Sequence, residues 1–284
     1  MPRGGGDASN APATPPTNPY PSRVPDDLLL VVITSGVAAV ASVVGGLLAL
    51  WHRSSTLISS LAFGVAGGAL IGTVTLEMLP TALESGGLAI ASIGFTAGML
   101  SLFAIDLVVH GGLIMGEHAD QRRIVRRYHR RRRSRSSVLV LAGGTSVEEL
   151  VEGLVIGVGA AVEPPLAFVA AVAIGIDNLA EGMSVGELIR GEMPDRARAM
   201  PRVLGWTGTI GVALFVSSVV GWIAFRGVAP EVLSALLAAG AGAMLYLALS
   251  SLVPEGEARQ YQGSATLASG VAFALIFVLS ALRA

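Results

Sequence analysis

The chain has 284 residues, 52% of them hydrophobic and only 14% charged, with a mean hydropathy of +0.68. Soluble domains carry roughly 25% charged residues, so an ordinary soluble globule is excluded, and the absence of Cys excludes disulfides and thiolate metal sites. The formal net charge of -1 conceals segregation, because all 19 basic residues are arginines gathered into a few short segments.

In chain order, residues 1–26 are rich in Pro, Gly, Ala and Thr without apolar periodicity. They read as a disordered tail that lacks the apolar core and cleavage site of a signal peptide. Eight apolar stretches follow, each long enough to span a bilayer as a helix: 28–51, 57–83, 88–112, 138–161, 166–189, 203–225, 231–252 and 264–282. With the N-terminus outside, fifteen of the 19 arginines fall in inside loops, nine of them in 122–135. The positive-inside bias therefore puts both termini outside the cytoplasm. The run Arg130–Arg133, in the Arg-rich cytoplasmic loop 113–136, reads as a topology determinant or anionic-lipid contact and not as a nucleic-acid patch. The expected fold is an all-α integral membrane domain over 27–284, resident in a prokaryotic plasma membrane.

An internal repeat refines this fold. Gly68-Ala69-Leu70 through Leu79-Pro80 in the second stretch matches Gly242-Ala243-Met244 through Val253-Pro254 in the seventh, at a constant offset of 174 residues. The two stretches cross in opposite directions, as in inverted-repeat transporters. The expectation is an inverted repeat of helices 1–3 and 6–8 around a central pair, helices 4 and 5.

That central pair carries the unusual chemistry. The fourth stretch holds Glu148, Glu149 and Glu152, and the fifth holds Asp177, Asn178 and Glu181. An unpaired carboxylate at the bilayer centre costs at least a few kcal/mol, so acids at that depth are functional candidates. Glu148 and Glu152 are four apart, as are Asp177 and Glu181, so each pair shares one helical face. Two such faces turned together make a cage of oxygens suited to a divalent metal ion. Five acids cannot all ionise together in a low dielectric without cations. Two divalent ions nearly balance them, while a single ion requires that some be protonated. The bland alternative is that the acids are neutral and hydrogen-bonded between helices, locking the packing.

Glu148-Glu149-Leu150-Val151-Glu152-Gly153 resembles the His-Asn-x-Pro-Glu-Gly pattern in the fourth helix of the ZIP family of divalent-metal transporters. Asp177-Asn178-Leu179-Ala180-Glu181-Gly182 resembles the matching motif of the fifth helix. Gly242-Ala243-Met244-Leu245-Tyr246, followed by Pro254-Glu255, resembles the seventh. The chain departs from the family at the motif His and Asn (Glu148 and Glu149) and at both motif prolines (Val151 and Ala180). It also has Ser250-Ser251 where members often carry an acid, and Glu77 where many carry His. No His lies centrally in any span; the four are His52, His110, His118 and His129.

The resemblance implies a permease, not an enzyme, moving Zn, Fe, Mn or a similar ion toward the cytoplasm without ATP. In keeping with this, no P-loop pattern is present. It implies a homodimer and a transport bundle of helices 1, 4, 5 and 6 sliding against helices 2, 3, 7 and 8. The metal is substrate; no organic cofactor and no nucleic acid are expected. Glu152 and Glu181 are assigned as central or bridging ligands, with Glu148, Asp177 and Asn178 completing the shell. Glu149, about 100° around the helix from Glu148, serves a second site or a gate. Carboxylate and amide oxygens suit Mg, Ca, Mn and ferrous iron, whereas imidazole suits zinc. Glu77 and Ser251 are candidate pathway residues, and Glu77 could equally be a capping or snorkelling acid. Asp106 and His110, four apart, could pair with each other; Glu117, His118 and Asp120 could collect metal at the exit, and Glu84 and Glu163 could attract cations outside. Two other functions fit the same letters. One is a ZIP-like metal sensor or scaffold that does not transport. The other is an intramembrane metalloenzyme, which needs an open coordination position and usually His ligands.

Overall fold

A computed structural model describes residues 24–51, 56–109, 136–193, 195–257 and 261–283. Most of the N-terminal tail, nearly all of the Arg-rich loop, all four histidines, Glu117 and Asp120 lie outside the described residues. Among the described residues every regular element is helical. Helix α1 is Val24–Trp51; α2, Thr56–Thr73, runs through a π-helical turn, Val74–Met78, into α3, Leu79–Val109. Next come α4 (Ser136–Val162), α5 (Pro164–Glu192), α6 (Arg196–Phe225) and α7 (Pro230–Leu247). A second π turn, Ala248–Leu252, leads into the short α8 (Val253–Glu257), and α9 is Gln262–Arg283.

Local chemistry accounts for the element ends. Prolines open α5 and α7, where the missing N–H is not needed and φ is already helical. Asp195 caps α6, its Oδ1 accepting from the Ala197 N–H at 3.0 Å, so that helix starts earlier than the apolar pattern alone indicates. Gly87 sits at φ +75°, a left-handed conformation that glycine adopts without a Cβ clash, and it breaks α3 between the second and third apolar stretches. Both π turns lie just before a proline. Pro80 and Pro254 have no N–H and crowd the carbonyl four residues back, and in each case that carbonyl falls inside the widened turn. The bonds of these turns run from the Leu79 N–H to the Val74 carbonyl and from the Val253 N–H to the Ala248 carbonyl.

Among the described residues, six helical stretches are long and apolar enough to cross a membrane. The second of them, Thr56–Val108, covers 53 residues and includes the Gly87 break. Helix α4 is not among the six because any full span within it contains Glu148, Glu149 and Glu152. Large apolar side chains point outward all round the bundle, among them Val37, Ile93, Val212 and Leu267, as expected where lipid is the solvent. Helix α5 is the most enclosed of the six stretches, and α9 is among the least.

Helices α1, α4, α5 and α6 form one packed group, and α2 also packs on α5. Helix α5 packs chiefly on α1, α4 on α6, and α1 on α6; α3 packs on α7, and α2 on α9. Close approaches between these helices recur at fixed offsets. Gly68 lies against the Ser269 backbone and Gly242 against that of Phe95, so both partners shift by the 174 residues of the sequence repeat, as do the two π turns. Gly153 lies against Leu214 and Gly182 against Ser42. Gly157 and Gly186 meet Ser218 and Gly46 in the same relation. Gly211 lies against Ala39, its own counterpart at that second offset.

Candidate metal site

Glu149 is the midpoint residue of Ser136–Val162, and Asn178 that of Pro164–Glu192. At 1.5 Å rise per residue each lies about 20 Å from either end of its helix. Helices α4 and α5 are joined by a tight turn, in which the Glu163 N–H donates to the Gly159 carbonyl at 2.8 Å and the Leu166 N–H to the Glu163 carbonyl at 3.0 Å. This antiparallel hairpin brings the two midpoints to the same level.

The two acidic stripes face each other. Glu152 and Asp177 approach within interaction range, and Glu181 meets both Glu148 and Glu149. Glu149, Glu152, Asp177 and Asn178 are buried, none more than 3% exposed, while Glu148 and Glu181 are half-buried. Among the described residues, the charged neighbours acting on Glu149, Glu152, Asp177 and Glu181 are all carboxylates. Both carboxylate oxygens of Glu149, Oε1 of Glu152, Oδ1 of Asp177 and Oδ1 of Asn178 are buried without a hydrogen-bond partner. Buried polar atoms left in this way cost about 1–3 kcal/mol each, more when charged. A cation can satisfy these oxygens, and so can a proton shared between Glu149 and Glu181 or between Glu152 and Asp177.

The surrounding helices fix the backbones that carry these acids. Asn178 Nδ2 donates to the Ala38 carbonyl at 3.1 Å, tying α5 to α1 and turning its Oδ1 free. Ser217 Oγ donates to the Glu149 carbonyl at 3.3 Å, tying α6 to α4. Gly153 and Gly182 each follow a site glutamate, and a Cβ at either position would meet neighbouring backbone. The helix axes can therefore come close only with glycine there. Among the described residues, no three His, Asp or Glu side chains are grouped as a ready-made metal cage. The predicted ligands are gathered without being closed into a shell, and rotation about glutamate side-chain bonds is what closure requires.

The other candidates fall elsewhere. Glu77, 3% exposed, lies in the first π turn; Ser251 is exposed in the second, at the equivalent position 174 residues on. The suggested partner of Asp106, His110, lies outside the described residues. Instead Tyr246 donates its hydroxyl hydrogen to Asp106 Oδ2 at 2.8 Å, and its ring stands edge-on to Phe103 with centroids 6.1 Å apart. Sequence reading missed this pair because its members are 140 residues apart and no local pattern links them.

No family profile matches the chain. Curated relatives do. The zinc transporter ZupT of Enterobacter sp. (strain 638) is 26% identical over 229 residues, 78% of this chain and 85% of the relative. The zinc transporters ZupT of Salmonella heidelberg (strain SL476) and Salmonella newport (strain SL254) are also 26% identical, over 80% and 78% of this chain.

Proposed function

We propose that this chain, a divergent member of the ZIP family, moves divalent metal ions across a membrane through the acid cluster of α4 and α5. The observation that carries this reading is the set of buried, partnerless oxygens on Glu149, Glu152, Asp177 and Asn178 at mid-span. Among the described residues, the charged neighbours around them are acids alone. A bound cation relieves both costs at once. The relatives are transporters by name, and the chain is not an enzyme.

The proposed architecture has eight crossings. The 53-residue stretch is ~80 Å long at helical rise, far beyond a bilayer core of about 30 Å. It therefore counts as two spans hinged at Gly87, and α4 is the further one. The equal offsets among the helix contacts support two inverted triplets around α4 and α5, which is the plan of transporters that open alternately to each side. The packing of α1, α4, α5 and α6 as one group supports a mobile bundle carrying the ion past α2, α3, α7 and α9. Movement is toward the cytoplasm, with both termini outside; a homodimer rests on the family likeness alone.

Uptake of divalent metal into vesicles reconstituted with the full chain tests the reading. Replacing Glu152 and Glu181 together by Gln should abolish uptake while the protein remains folded by size-exclusion chromatography. Undiminished uptake by that variant refutes the site. Metal bound by the purified protein without any uptake points to the sensor function instead.

A further inference from the structure

Beyond the acid cluster, the last turns of α5 divide their contacts between two neighbours. Gly186 lies against α1, where an added Cβ would meet the Gly46 carbonyl oxygen and the Ala49 side chain. Arg190 Nη1 donates to the Ala49 carbonyl at 2.9 Å. Glu187 stands between these two ties, so its backbone is fixed to α1. Its side chain instead reaches α2, where Ser59 Oγ donates to Glu187 Oε1 at 3.1 Å. Ser59 is 3% exposed and Glu187 half-buried. Glu187 lies six residues past Glu181, so the contact is about 9 Å further along α5, on the side away from the α4–α5 turn.

This bond crosses between helix groups. The bonds from Asn178 to the Ala38 carbonyl and from Ser217 to the Glu149 carbonyl stay inside the bundle of α1, α4, α5 and α6. Those from Ser234 to the Ala82 carbonyl and from Ser269 to the Gly64 carbonyl stay inside the frame of α2, α3, α7 and α9. Ser59 belongs to the frame and Glu187 to the bundle. A hydrogen bond fails once its heavy atoms part beyond about 3.5 Å. The Ser59 side chain is too short to follow a moving neighbour, and Glu187 can track a slide of only a few ångströms by changing rotamer. A step of one helical turn, about 5.4 Å, therefore breaks the bond. A hydrogen bond to a carboxylate biases a two-state equilibrium by about 10-fold.

We propose that the Ser59–Glu187 hydrogen bond is a latch between bundle and frame, made in the arrangement described here and broken each time the bundle passes the frame. This inference rests on the transport reading above and assigns a contact that sets when the bundle is free to move.

Two measurements on the full-length protein test it. The first uses Ser60, fully buried beside Ser59, as a reporter. In detergent, Ser60→Cys should react slowly with a polar maleimide, and adding Ser59→Ala should speed the reaction about 10-fold. Adding Ser59→Thr, which keeps the hydroxyl, should leave it slow. Equal rates with Ser, Thr and Ala at position 59, or Thr as fast as Ala, overturn the inference. The second combines Ser59→Cys and Glu187→Cys and joins them with a short bis-thiosulfonate reagent, which meets no other thiol because the chain has no Cys. Before linking, the double variant should take up Zn2+ or Mn2+ into reconstituted vesicles. Linking should abolish that uptake, and a reductant should restore it. Failure of the pair to link, uptake unaffected by a completed link, or no uptake by the unlinked, folded variant overturns the latch and leaves the transport reading standing. Failure of wild type to take up either ion overturns both.

Discussion

Replacing Glu152 or Glu181 by Gln distinguishes a cation site from a packing lock, because the two predict opposite signs. Each replacement deletes one charge from a cluster of five carboxylates while preserving shape. Two carboxylates roughly 5 Å apart repel by about 3 kcal/mol at an effective dielectric near 20. Relaxation and partial protonation reduce this, so the cation-free protein should gain about 1–3 kcal/mol on losing one charge. Each kcal/mol moves the midpoint by about 2–4 °C at this size, within reach of thermal unfolding in detergent followed by the fluorescence of Trp51, Trp206 and Trp222. Added divalent metal should act the other way. At one hundred times its Kd a ligand stabilises by about 2.7 kcal/mol, and a tenfold loss of affinity cuts that to about 1.4 kcal/mol. The Gln variants should thus be more stable than wild type with chelator and gain less from metal. A fall of more than about 1 kcal/mol in the cation-free state, with an unchanged gain on adding metal, refutes the reasoning and makes the acids a structural lock.

Gly182→Val puts a side chain against the Ser42 backbone, whose carbonyl carbon lies 2.8 Å from an ideal Cβ; overpacking of this kind costs about 1–3 kcal/mol. Chemical denaturation in detergent should show that loss together with reduced uptake, and wild-type stability would refute the close-packing account of α1 and α5. Tyr246→Phe removes the donor to Asp106 and keeps the ring on Phe103, so it should cost about 1 kcal/mol. Equal midpoints for Phe and Tyr would show that the hydroxyl adds nothing. Because the chain has no Cys, single replacements report topology. Gly227→Cys, in the α6–α7 turn, should react with an impermeant maleimide on intact cells, and Arg196→Cys, at the start of α6, only after permeabilisation. The reverse pattern would invert the orientation.

The acid stripes were legible in the sequence because helix periodicity alone fixes which of Glu148, Glu152, Asp177 and Glu181 share a face. Their mutual approach followed from the short connection at Glu163. Glu149 was harder to read: 100° from Glu148 suggested a separate role, yet it is buried, more so than Glu148, and meets Glu181, because two helices crossing closely at glycine present a broad shared surface. The repeat was visible as matched letters at 174 residues, but the reason for it was not. Pro80 and Pro254 are each preceded by a π turn inside a continuous helix. That Gly87 interrupts one long helix depends on a left-handed φ that no letter pattern specifies. The Tyr246–Asp106 bond lay beyond reach, since a contact across 140 residues depends on how α3 seats against α7.

The spacing of the acids and the spacing of the helix contacts belong to one relation. Moving from Gly153 to Gly182 along the chain moves the packing partner from Leu214 back to Ser42. The same step carries Glu148 to Asp177, Glu149 to Asn178 and Glu152 to Glu181. Every oxygen donor on α4 thus has a counterpart on α5 supported by an equivalent neighbour, and because α4 and α5 run antiparallel, the donor set has nearly the same form when approached from either membrane face. A carrier needs this property, because an ion bound too tightly from one side is not released to the other. The one chemical asymmetry in the set is Glu149 against Asn178. An amide there is held by the Ala38 carbonyl, whereas the Glu149 carboxyl meets Glu181. The symmetric frame thus holds the position fixed while one side chain differs in charge.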